Sequence, residues 1–496
     1  MHYHCEHQGW RLDVLNSSKC YFSQVFSLTS LVSLKFPLAL TLLLPYSLNT
    51  LALSATTTNI IQGSAPYLTF DGGRTKATTT DGLLSITLSD GRTITPSTNT
   101  STVKKPIVLP NVSDTFANVG MFVPPTTDKV ELNTLTGAPY NYLGDDDGDG
   151  QGEGGINATG KLFVYIKDNN NQMVSRSDTL DICRSPYKVK LINSNGILST
   201  QYGVPNTSTF NSSSVIYYIA PNMPPKVCYA KPELGYGENW GAGNHAGPAD
   251  IWNPSKGFLV QSTLPISYDR NFPTTGANGL FFDLVIGGAI DLLTWPTVTN
   301  GGITATVTPN ARSNTVRVTL TGPAATAAEQ QADSTSQISK PILPQTFELV
   351  GYDISGKEVV KYGFVLRKWF INRGNKNMPI SSHAIWCASI GYRLIKVNDV
   401  TNAVCAGKGS GATCEGAVGA LPSSSDNVYQ RQIGAGLFSE WGKMTSYSHS
   451  GFVSKSKSDY WTSDAIGTKQ LFVSSLFGSV YSNSPSYNLY GLCTYP

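Results

Sequence analysis

The C-terminal fold is indicated most strongly by two short stretches, AIWCASIGYRL at residues 384–394 and GLCTYP at residues 491–496. The first belongs to a helix-like segment and places Cys387 beside a tryptophan, whereas the second places Cys493 just before the end of the chain. Between them, residues 471–480 alternate between apolar and polar side chains, which predicts a strand. A disulfide between the two cysteines would close the whole stretch into one module rich in tryptophan and tyrosine.

The composition predicts a multi-domain protein made mainly of β-structure. A length of 496 residues exceeds what one hydrophobic core supports, so roughly two to four domains are expected. Gly is common and Ser, Thr and Asn alternate with Val, Ile, Tyr and Phe, which is typical of turn-rich β domains. Charged residues make up only 14% of the chain and the net charge is +3. This balance gives no electrostatic case for nucleic-acid binding.

The first 55 residues are predicted to be a leader that contains a secretory signal. Lys35 precedes an apolar run at residues 37–44, and small residues follow at 52–55. Residues 1–33 are longer and more polar than the start of a signal should be, so we expect the true start to lie downstream of Met1. The apolar run is shorter than the roughly 20 residues of a membrane span, and no transmembrane span is predicted. The alternative is a buried apolar segment of a cytosolic domain.

Cysteine usage supports export. Two of the eight cysteines, Cys5 and Cys20, fall in the leader, and six remain. An even number of spread-out cysteines in an exported chain indicates structural disulfides, for which many pairings are possible. Two lie in the middle of the chain and four near its end, so Cys183–Cys228 is the economical first pairing. The absence of Cys-x-x-Cys disfavours a zinc ribbon or a thioredoxin-like redox motif.

Strand and turn patterns divide the rest of the chain into four parts. Residues 56–160 are predicted to be a β-rich domain that carries an acidic loop, and residues 161–323 an Ig-like β-sandwich with short strands and frequent turns. Residues 324–345 are rich in Ala, Gln, Ser and Pro and are predicted to be a linker. Residues 346–496 form the C-terminal domain.

The acidic loop has the opening of a Ca²⁺-binding loop. Alternate carboxylates followed by a glycine converge on a hard cation. Ile156 occupies the position where a bidentate Glu should close the site, and no flanking helices are evident. A solvated, glycine-rich acidic loop is the alternative. The candidate metal ligands are Asp145, Asp147, Asp149 and Glu153.

Catalytic motifs are missing, and aromatic content is the stronger indication of function. The chain has no nucleophile elbow, zinc-protease motif or Walker loop, so no enzyme activity is predicted. Tyrosines crowd the end of the chain among Ser and Asn, a mixture that makes adaptable recognition surfaces. The loop at residues 483–488 is the best example. The candidate receptor-binding residues are Tyr447, Tyr481, Tyr487 and Asn488.

The stretch at residues 384–394 resembles the first helix and following turn of a C-type-lectin-like domain, a fold of α+β class. In that fold the helix cysteine pairs with the last cysteine of the module, which implies a disulfide between Cys387 and Cys493. The predicted set of disulfides is therefore Cys387–Cys493, Cys405–Cys414 and Cys183–Cys228.

The C-terminal domain is also similar to the ends of enterobacterial invasin/intimin-type adhesins. The resemblance rests on GYD at 351–353, KYGFVL at 361–366, WF at 369–370 and SEWG at 439–442. In those proteins Ig-like domains carry a lectin-like domain that binds a host receptor. The Glu-Pro-Asn and Trp-Asn-Asp motifs of sugar-binding C-type lectins are missing, which favours a protein ligand. No series of lipid-facing strands follows the leader, so we expect the N-terminal β-barrel of these adhesins to be absent.

The resemblance implies an adhesin that acts in cell adhesion and virulence. We expect a protein that is secreted or displayed on the bacterial cell surface and binds a host-surface protein or glycan through its lectin-like domain. No cofactor is expected apart from the candidate Ca²⁺. A carbohydrate-binding module protein is the first alternative, and a secreted glycan-active enzyme is the second.

Overall fold

A computed structural model describes residues 62–146, 148, 155–240, 243–288, 293–310, 315–453 and 458–496. The predicted leader, with Cys5 and Cys20, lies outside these residues. None of the described helices combines the length and apolar character that a membrane span needs.

The first part of the described chain is built on two antiparallel sheets with one parallel strand at an edge. Its strands are β1 (Tyr67–Leu68), β2 (Ile86–Thr87), β3 (Thr93–Ile94), β4 (Ile107–Val108), β5 (Lys129–Glu131), β6 (Leu143–Gly144), β7 (Asn157–Thr159), β8 (Lys161–Lys167), β9 (Tyr187–Asn193), β10 (Gly196–Ser199), β11 (Thr207–Phe210) and β12 (Ser213–Ala220). Its short helices are α1 (Thr80–Leu83) and α2 (Leu132–Thr136), with 3-10 turns at Phe116–Asn118 and Ile182–Arg184.

The larger sheet of this part has the order β4-β12-β9-β8-β5, and a smaller one has the order β11-β10-β7. Strand β9 shows strict alternation of buried and part-exposed residues. Because side chains of a strand point to opposite faces in turn, one face of the sheet enters the core and the other meets solvent. Val164, Val189 and Tyr217 lie on the buried face.

The second part is a two-layer β-sandwich. Its strands are β13 (Lys226–Lys231), β14 (Asn239–Trp240), β15 (Gly243–Asn244), β16 (Trp252–Asn253), β17 (Gly257–Leu259), β18 (Thr275–Ala277), β19 (Phe281–Gly287), β20 (Val298–Asn300), β21 (Ile303–Asn310), β22 (Thr315–Thr321), β23 (Gln345–Tyr352) and β24 (Glu358–Leu366), with a 3-10 segment at Pro265–Arg270. Seven strands form an antiparallel sheet in the order β16-β17-β13-β19-β22-β21-β20, and the hairpin β23–β24 covers it. Phe364 of the hairpin lies 5.9 Å from Phe282 of the sheet, ring centre to ring centre. The sandwich is therefore closed by aromatic contacts between its layers.

The third part is an α+β module. Its elements are α3 (Ala327–Gln331), β25 (Lys368–Asn372), α4 (Ile380–Ser389), β26 (Arg393–Leu394), α5 (Val397–Val400), α6 (Leu437–Trp441), β27 (Asp459–Ile466), β28 (Lys469–Ser474), β29 (Val480–Asn483) and β30 (Leu492–Tyr495), with a 3-10 turn at Met444–Ser446. One sheet has the order β18-β25-β30-β26 and the other β27-β28-β29. The predicted fold class, mainly β with a sandwich followed by an α+β module, is confirmed.

All three predicted disulfides are present. Cys387–Cys493 joins helix α4 to the last strand, Cys405–Cys414 closes a short loop, and Cys183–Cys228 joins the first part of the chain to the sandwich. The helix expected around Cys387 corresponds to α4. The single strand expected at residues 471–480 is wrong, because the chain turns through Gly478 at φ +67° and divides the segment between β28 and β29.

Strand pairing crosses two of the domain boundaries expected from the sequence. The boundaries stay predictions. Strand β5 pairs with β8 across position 160, and the hairpin β23–β24 packs on the sandwich sheet although it begins at Gln345, the last residue of the predicted linker. The segment 324–345 is held against the module, because Trp386 donates to the carbonyl of Glu329 at 2.9 Å and Tyr392 to that of Ser339 at 2.9 Å. A flexible linker would make no such bonds.

The sandwich and the module share one hydrophobic core and one sheet. Strand β18 of the sandwich pairs in parallel with β25 of the module. Directly beside this pairing, the carboxylate of Glu440 is fully buried. It accepts hydrogen bonds from the N–H and hydroxyl groups of both Thr274 and Thr275 and from the N–H of Gly434.

Burial raises the pKa of the Glu440 carboxyl, and the hydrogen bonds that it accepts oppose this rise. Because every partner donates, the ionised form satisfies all of them at once. Trp441, the next residue, donates from its indole nitrogen to the carbonyl of Thr275 at 3.0 Å. Two consecutive side chains of α6 therefore bind the same two-residue segment of the sandwich.

We expect Glu440→Gln to destabilise the protein by about 3 kcal/mol, because the amide NH₂ then faces donors that lose their acceptor. Urea unfolding measures the change. Glu415→Gln, at an exposed position, is the matched control and should shift stability by no more than about 0.5 kcal/mol. Equal urea midpoints for Glu440→Gln and the parent protein would contradict the assigned role.

The disulfides should differ in their contribution to stability because they close loops of different length. Cys387–Cys493 spans 106 residues and Cys405–Cys414 spans 9. The chain-entropy relation gives about 5 kcal/mol for the first and about 2.5 kcal/mol for the second. Paired Cys→Ala variants, compared in urea, test this order. The expectation fails if loss of the short loop costs as much as loss of the long one.

Candidate functional site

The surface loop, defined here as residues Ser484–Asn488, connects β29 to the segment before β30. Its backbone is held by local bonds: Ser484 N–H donates to the side-chain oxygen of Asn483 at 2.8 Å, and Tyr487 N–H donates to the carbonyl of Ser484 at 2.9 Å. The hydroxyls of Ser484 and Ser486 are 2.8 Å apart. These bonds fix a turn in which Tyr487 remains 54% exposed. The turn is therefore defined by hydrogen bonds within the chain itself.

The C-terminal base of the surface loop is attached to helix α4 and the segment before it. Leu489 exchanges two backbone hydrogen bonds with Met378, and its carbonyl also lies 2.9 Å from His383 Nε2. A carbonyl only accepts, so Nε2 of His383 carries the proton. Nδ1 of the same ring lies 3.3 Å from Arg373, which only donates. The two partners thus select one neutral tautomer.

His383 is fully buried, and burial lowers its pKa to about 4. The neighbouring Arg373 charge acts in the same direction, whereas the bond to Leu489 opposes it. Gly491 is required here for a steric reason. A Cβ at this position would lie 2.1 Å from Nδ1 of His383, so a larger residue would displace the ring.

Tyr487 and Asn488 lie on the exposed surface loop, as a contact role requires, and Tyr481 is partly buried on β29, 5.6 Å from the ring of Phe472. Their role in receptor binding stays a prediction.

The prediction for Tyr447 needs correction, because this side chain is only 1% exposed. Its ring contacts Phe281 of the sandwich at 5.2 Å and Trp441 of the module at 5.7 Å. Its hydroxyl donates to the carbonyl of Trp441 and accepts from the N–H of Glu233. Burial raises its pKa well above the usual value. Tyr447 therefore packs between the sandwich and the module and presents no surface to a receptor.

His383 and Arg373 hold the base of the surface loop, a position that inspection of the sequence does not identify. One signal was available: His383 precedes Cys387 by four residues, so both lie on the same face of a helix. That spacing directs the histidine towards the last strand, where the disulfide partner lies. The bond to Leu489 depends on tertiary contact and leaves no pattern in the sequence.

The acidic loop offers only a partial view. Asp145 is described, whereas Asp147, Asp149 and Glu153 lie outside the described residues. Asp146 is bound by Lys76 at 2.6 Å and by the Tyr67 hydroxyl at 2.7 Å. Within the described ranges, no group of three or more His, Cys, Asp or Glu side chains could hold a metal. The Ca²⁺ site stays a prediction.

No protein-family model and no curated protein matches the chain. Among solved structures, the chain is similar to invasin, a bacterial integrin-binding protein, with 13% identity, a TM-score of 0.31, and coverage of 68% of this chain and 50% of that one. The chain thus spans about half the length of the invasin structure.

The chain is also similar to the C-terminal 282-residue fragment of intimin in complex with the intimin-binding domain of Tir. Identity is 11%, the TM-score 0.31, and coverage 68% of this chain and 93% of the fragment. Intimin-190 from enteropathogenic E. coli gives 12% identity and a TM-score of 0.25, covering 45% of this chain and 90% of that one. At these values the relation to invasin and intimin stays a resemblance and does not assign a family.

His383, one of two fully buried histidines in the described chain, contributes a defined part of the pH dependence of stability. The pKa of His383 is about 4 in the folded protein and about 6.5 in an unfolded chain. The unfolded state therefore takes up a proton first as the pH falls. Stability is lost between these two values, by about 2 kcal/mol from pH 7 to pH 5. His383→Gln, whose amide can donate to Leu489 without titrating, should remove this part of the pH dependence.

Urea unfolding at both pH values measures the effect. His449→Gln, at an exposed position, is the control and should leave the pH dependence of the parent protein unchanged. The assignment is wrong if His383→Gln and His449→Gln lose the same stability on acidification.

Proposed function

We propose that this chain is an exported adhesin, secreted or displayed on a bacterial surface, whose C-terminal module binds a protein on a host cell. The observation that carries the proposal is the surface loop: an ordered, solvent-exposed turn of Ser, Tyr and Asn attached to a disulfide-closed module. Tyr contributes a large contact area with little loss of conformational entropy, and Ser and Asn supply adaptable hydrogen bonds.

Preorganisation supports this proposal. A loop that is ordered before binding avoids the conformational entropy that a flexible loop loses on contact. The hydrogen bond between His383 and the carbonyl of Leu489 holds one end of the surface loop, and strand β29 holds the other. The hydrogen bonds that Glu440 accepts from the sandwich, together with the pairing of β18 with β25, fix the module on the sandwich.

Disulfides support the export part of the proposal. Three disulfides are typical of proteins that fold in an oxidising compartment and are rare in the cytosol. The predicted leader points in the same direction. No enzyme activity is proposed, because the surface loop carries neither a nucleophile beside a base nor a pair of carboxylates.

Binding of the full chain to cultured host cells tests the proposal. Replacing the exposed ring and its neighbour in the double variant Tyr487→Ser, Asn488→Ser should weaken binding by about tenfold or more, as expected for a central contact residue. Protease treatment of the cells should abolish binding of the parent protein, whereas glycosidase treatment should leave binding through the surface loop intact.

Tyr202→Ser is the matched control, because this tyrosine is similarly exposed at 46% and lies in the first part of the chain. It should bind like the parent protein. Unchanged binding of the double variant would exclude the surface loop as the contact. Loss of loop-dependent binding after glycosidase treatment alone would replace the protein receptor with a glycan.

A further inference from the structure

The solvent face of the five-stranded sheet in the first part of the chain carries an unusual set of side chains. This face, called the lysine face here, is formed by the outward residues of β5, β8, β9 and β12. Its positive residues are Lys129, Lys161, Lys167, Lys188 and Lys190. Its apolar and aromatic residues are Phe163, Tyr165, Ile192, Ile216 and Tyr218. The opposite face of the same strands forms the buried core.

The strand register places these side chains in rows across the sheet. Lys167 lies opposite Lys188, which in turn lies opposite Tyr218. In the next row, Lys190 lies between Tyr165 and Ile216 on the two neighbouring strands. Paired strands are about 4.8 Å apart, so lysines and apolar or aromatic side chains are direct neighbours on a continuous surface.

The lysine face is far more basic than the chain as a whole. Its five lysines are accompanied by one carboxylate, that of Glu131, which pairs with Lys161 at 3.1 Å. The remaining four lysines make no ion pair with any described residue. The entire chain has a net charge of only +3, so five lysines with one carboxylate give this face a larger net positive charge than that of the whole chain.

This arrangement does not serve the stability of the sheet. Like charges directly opposite each other on paired strands are destabilising, and Lys167 opposite Lys188 is such a pair. Lysines often protect the edge strands of sheets from association. Strands β8 and β9 are interior strands in the order β4-β12-β9-β8-β5. Edge protection therefore does not account for them.

Exposed apolar side chains complete the face. The ring of Tyr165 is 43% exposed and the aliphatic side chain of Ile216 is 39% exposed. The ammonium group of Lys129 lies 5.7 Å from the centre of the Phe163 ring, which confirms that charge and aromatic surface are in contact. Flat rings beside lysines suit a ligand that has both negative groups and apolar C–H surfaces.

We propose that the lysine face binds an acidic polysaccharide, a linear sugar polymer that carries carboxylate or sulfate groups. A linear polymer can lie across a flat face and neutralise several lysines at once, including the repelling pair. The C–H faces of its sugar rings can pack on Tyr165 and Tyr218. Three disulfides point to an extracellular setting, where such polymers are encountered. This site is separate from the surface loop, so the two proposals stand or fall independently.

Binding to purified polysaccharides tests the inference with the full chain. Heparin is the sulfated probe and polygalacturonate the carboxylated probe, with neutral dextran for comparison. The triple variant Lys167→Thr, Lys188→Thr, Lys190→Thr should bind the acidic polymers about tenfold or more weakly, because Thr is compatible with strands but removes the charge. Binding by the parent protein should fall with added salt.

The matched control is Lys357→Thr, Lys408→Thr, Lys469→Thr, which changes the net charge equally at three exposed positions of the sandwich and module. Its affinity should stay within about twofold of the parent protein. An equal loss in both triple variants would overturn the proposal, because net charge alone would then explain binding. Tighter binding of a single-stranded DNA of the same length than of either acidic polysaccharide would also overturn it.

A single variant separates binding from folding. Lys188→Thr removes one member of the repelling pair, so it should raise the urea midpoint while it weakens polysaccharide binding. If Lys188 served only the stability of the sheet, Lys188→Thr would instead have a lower urea midpoint than the parent protein. A Lys188→Thr protein that is less stable than the parent would overturn the inference.

Discussion

The buried carboxylate of Glu440 is the interaction on which the arrangement of sandwich and module depends. A charge can remain in a protein interior only when hydrogen bonds replace its water. Here the replacement comes from Thr274 and Thr275 of the sandwich and from Gly434 of the module. Since the donors come from both parts, the charge is satisfied only when the two are correctly assembled. The ion thereby converts a non-directional apolar contact into one defined geometry.

Further buried polar groups extend this principle through the module. Arg431 is fully buried and donates to the carbonyls of Glu440, Glu233 and Gly235 while it lies 4.7 Å from the Trp252 ring. His383 acts in the same way at the surface loop. In each case a polar side chain binds backbone of a different segment, which sets position more strictly than apolar packing does. The base of the exposed surface loop is held in place by the buried bond between His383 and Leu489.

Charge distribution gives a different lesson. The net charge of the chain is small, and on that basis composition argues against a polyanionic partner. Once the strands pair, Lys167, Lys188 and Lys190 of β8 and β9 meet on one face, and acidic residues are almost excluded from it. The total charge of a protein influences its solubility and long-range attraction to partners. Recognition of a ligand depends on which charged side chains lie on the same surface.

The mainly β character and the sandwich were predictable from the sequence, because strand alternation and turn residues are local signals. The disulfide that closes the module, Cys387–Cys493, was implied by the resemblance to a C-type-lectin-like domain and is present in the structure. The sequence also located the exposed Tyr487. It misplaced Tyr447, since burial depends on what a distant strand contributes, and it left His383 and Glu440 without roles. Their roles became visible only in the folded protein, because their partners are supplied by segments up to 166 residues away. Long-range contacts of this kind leave no periodicity in a single chain.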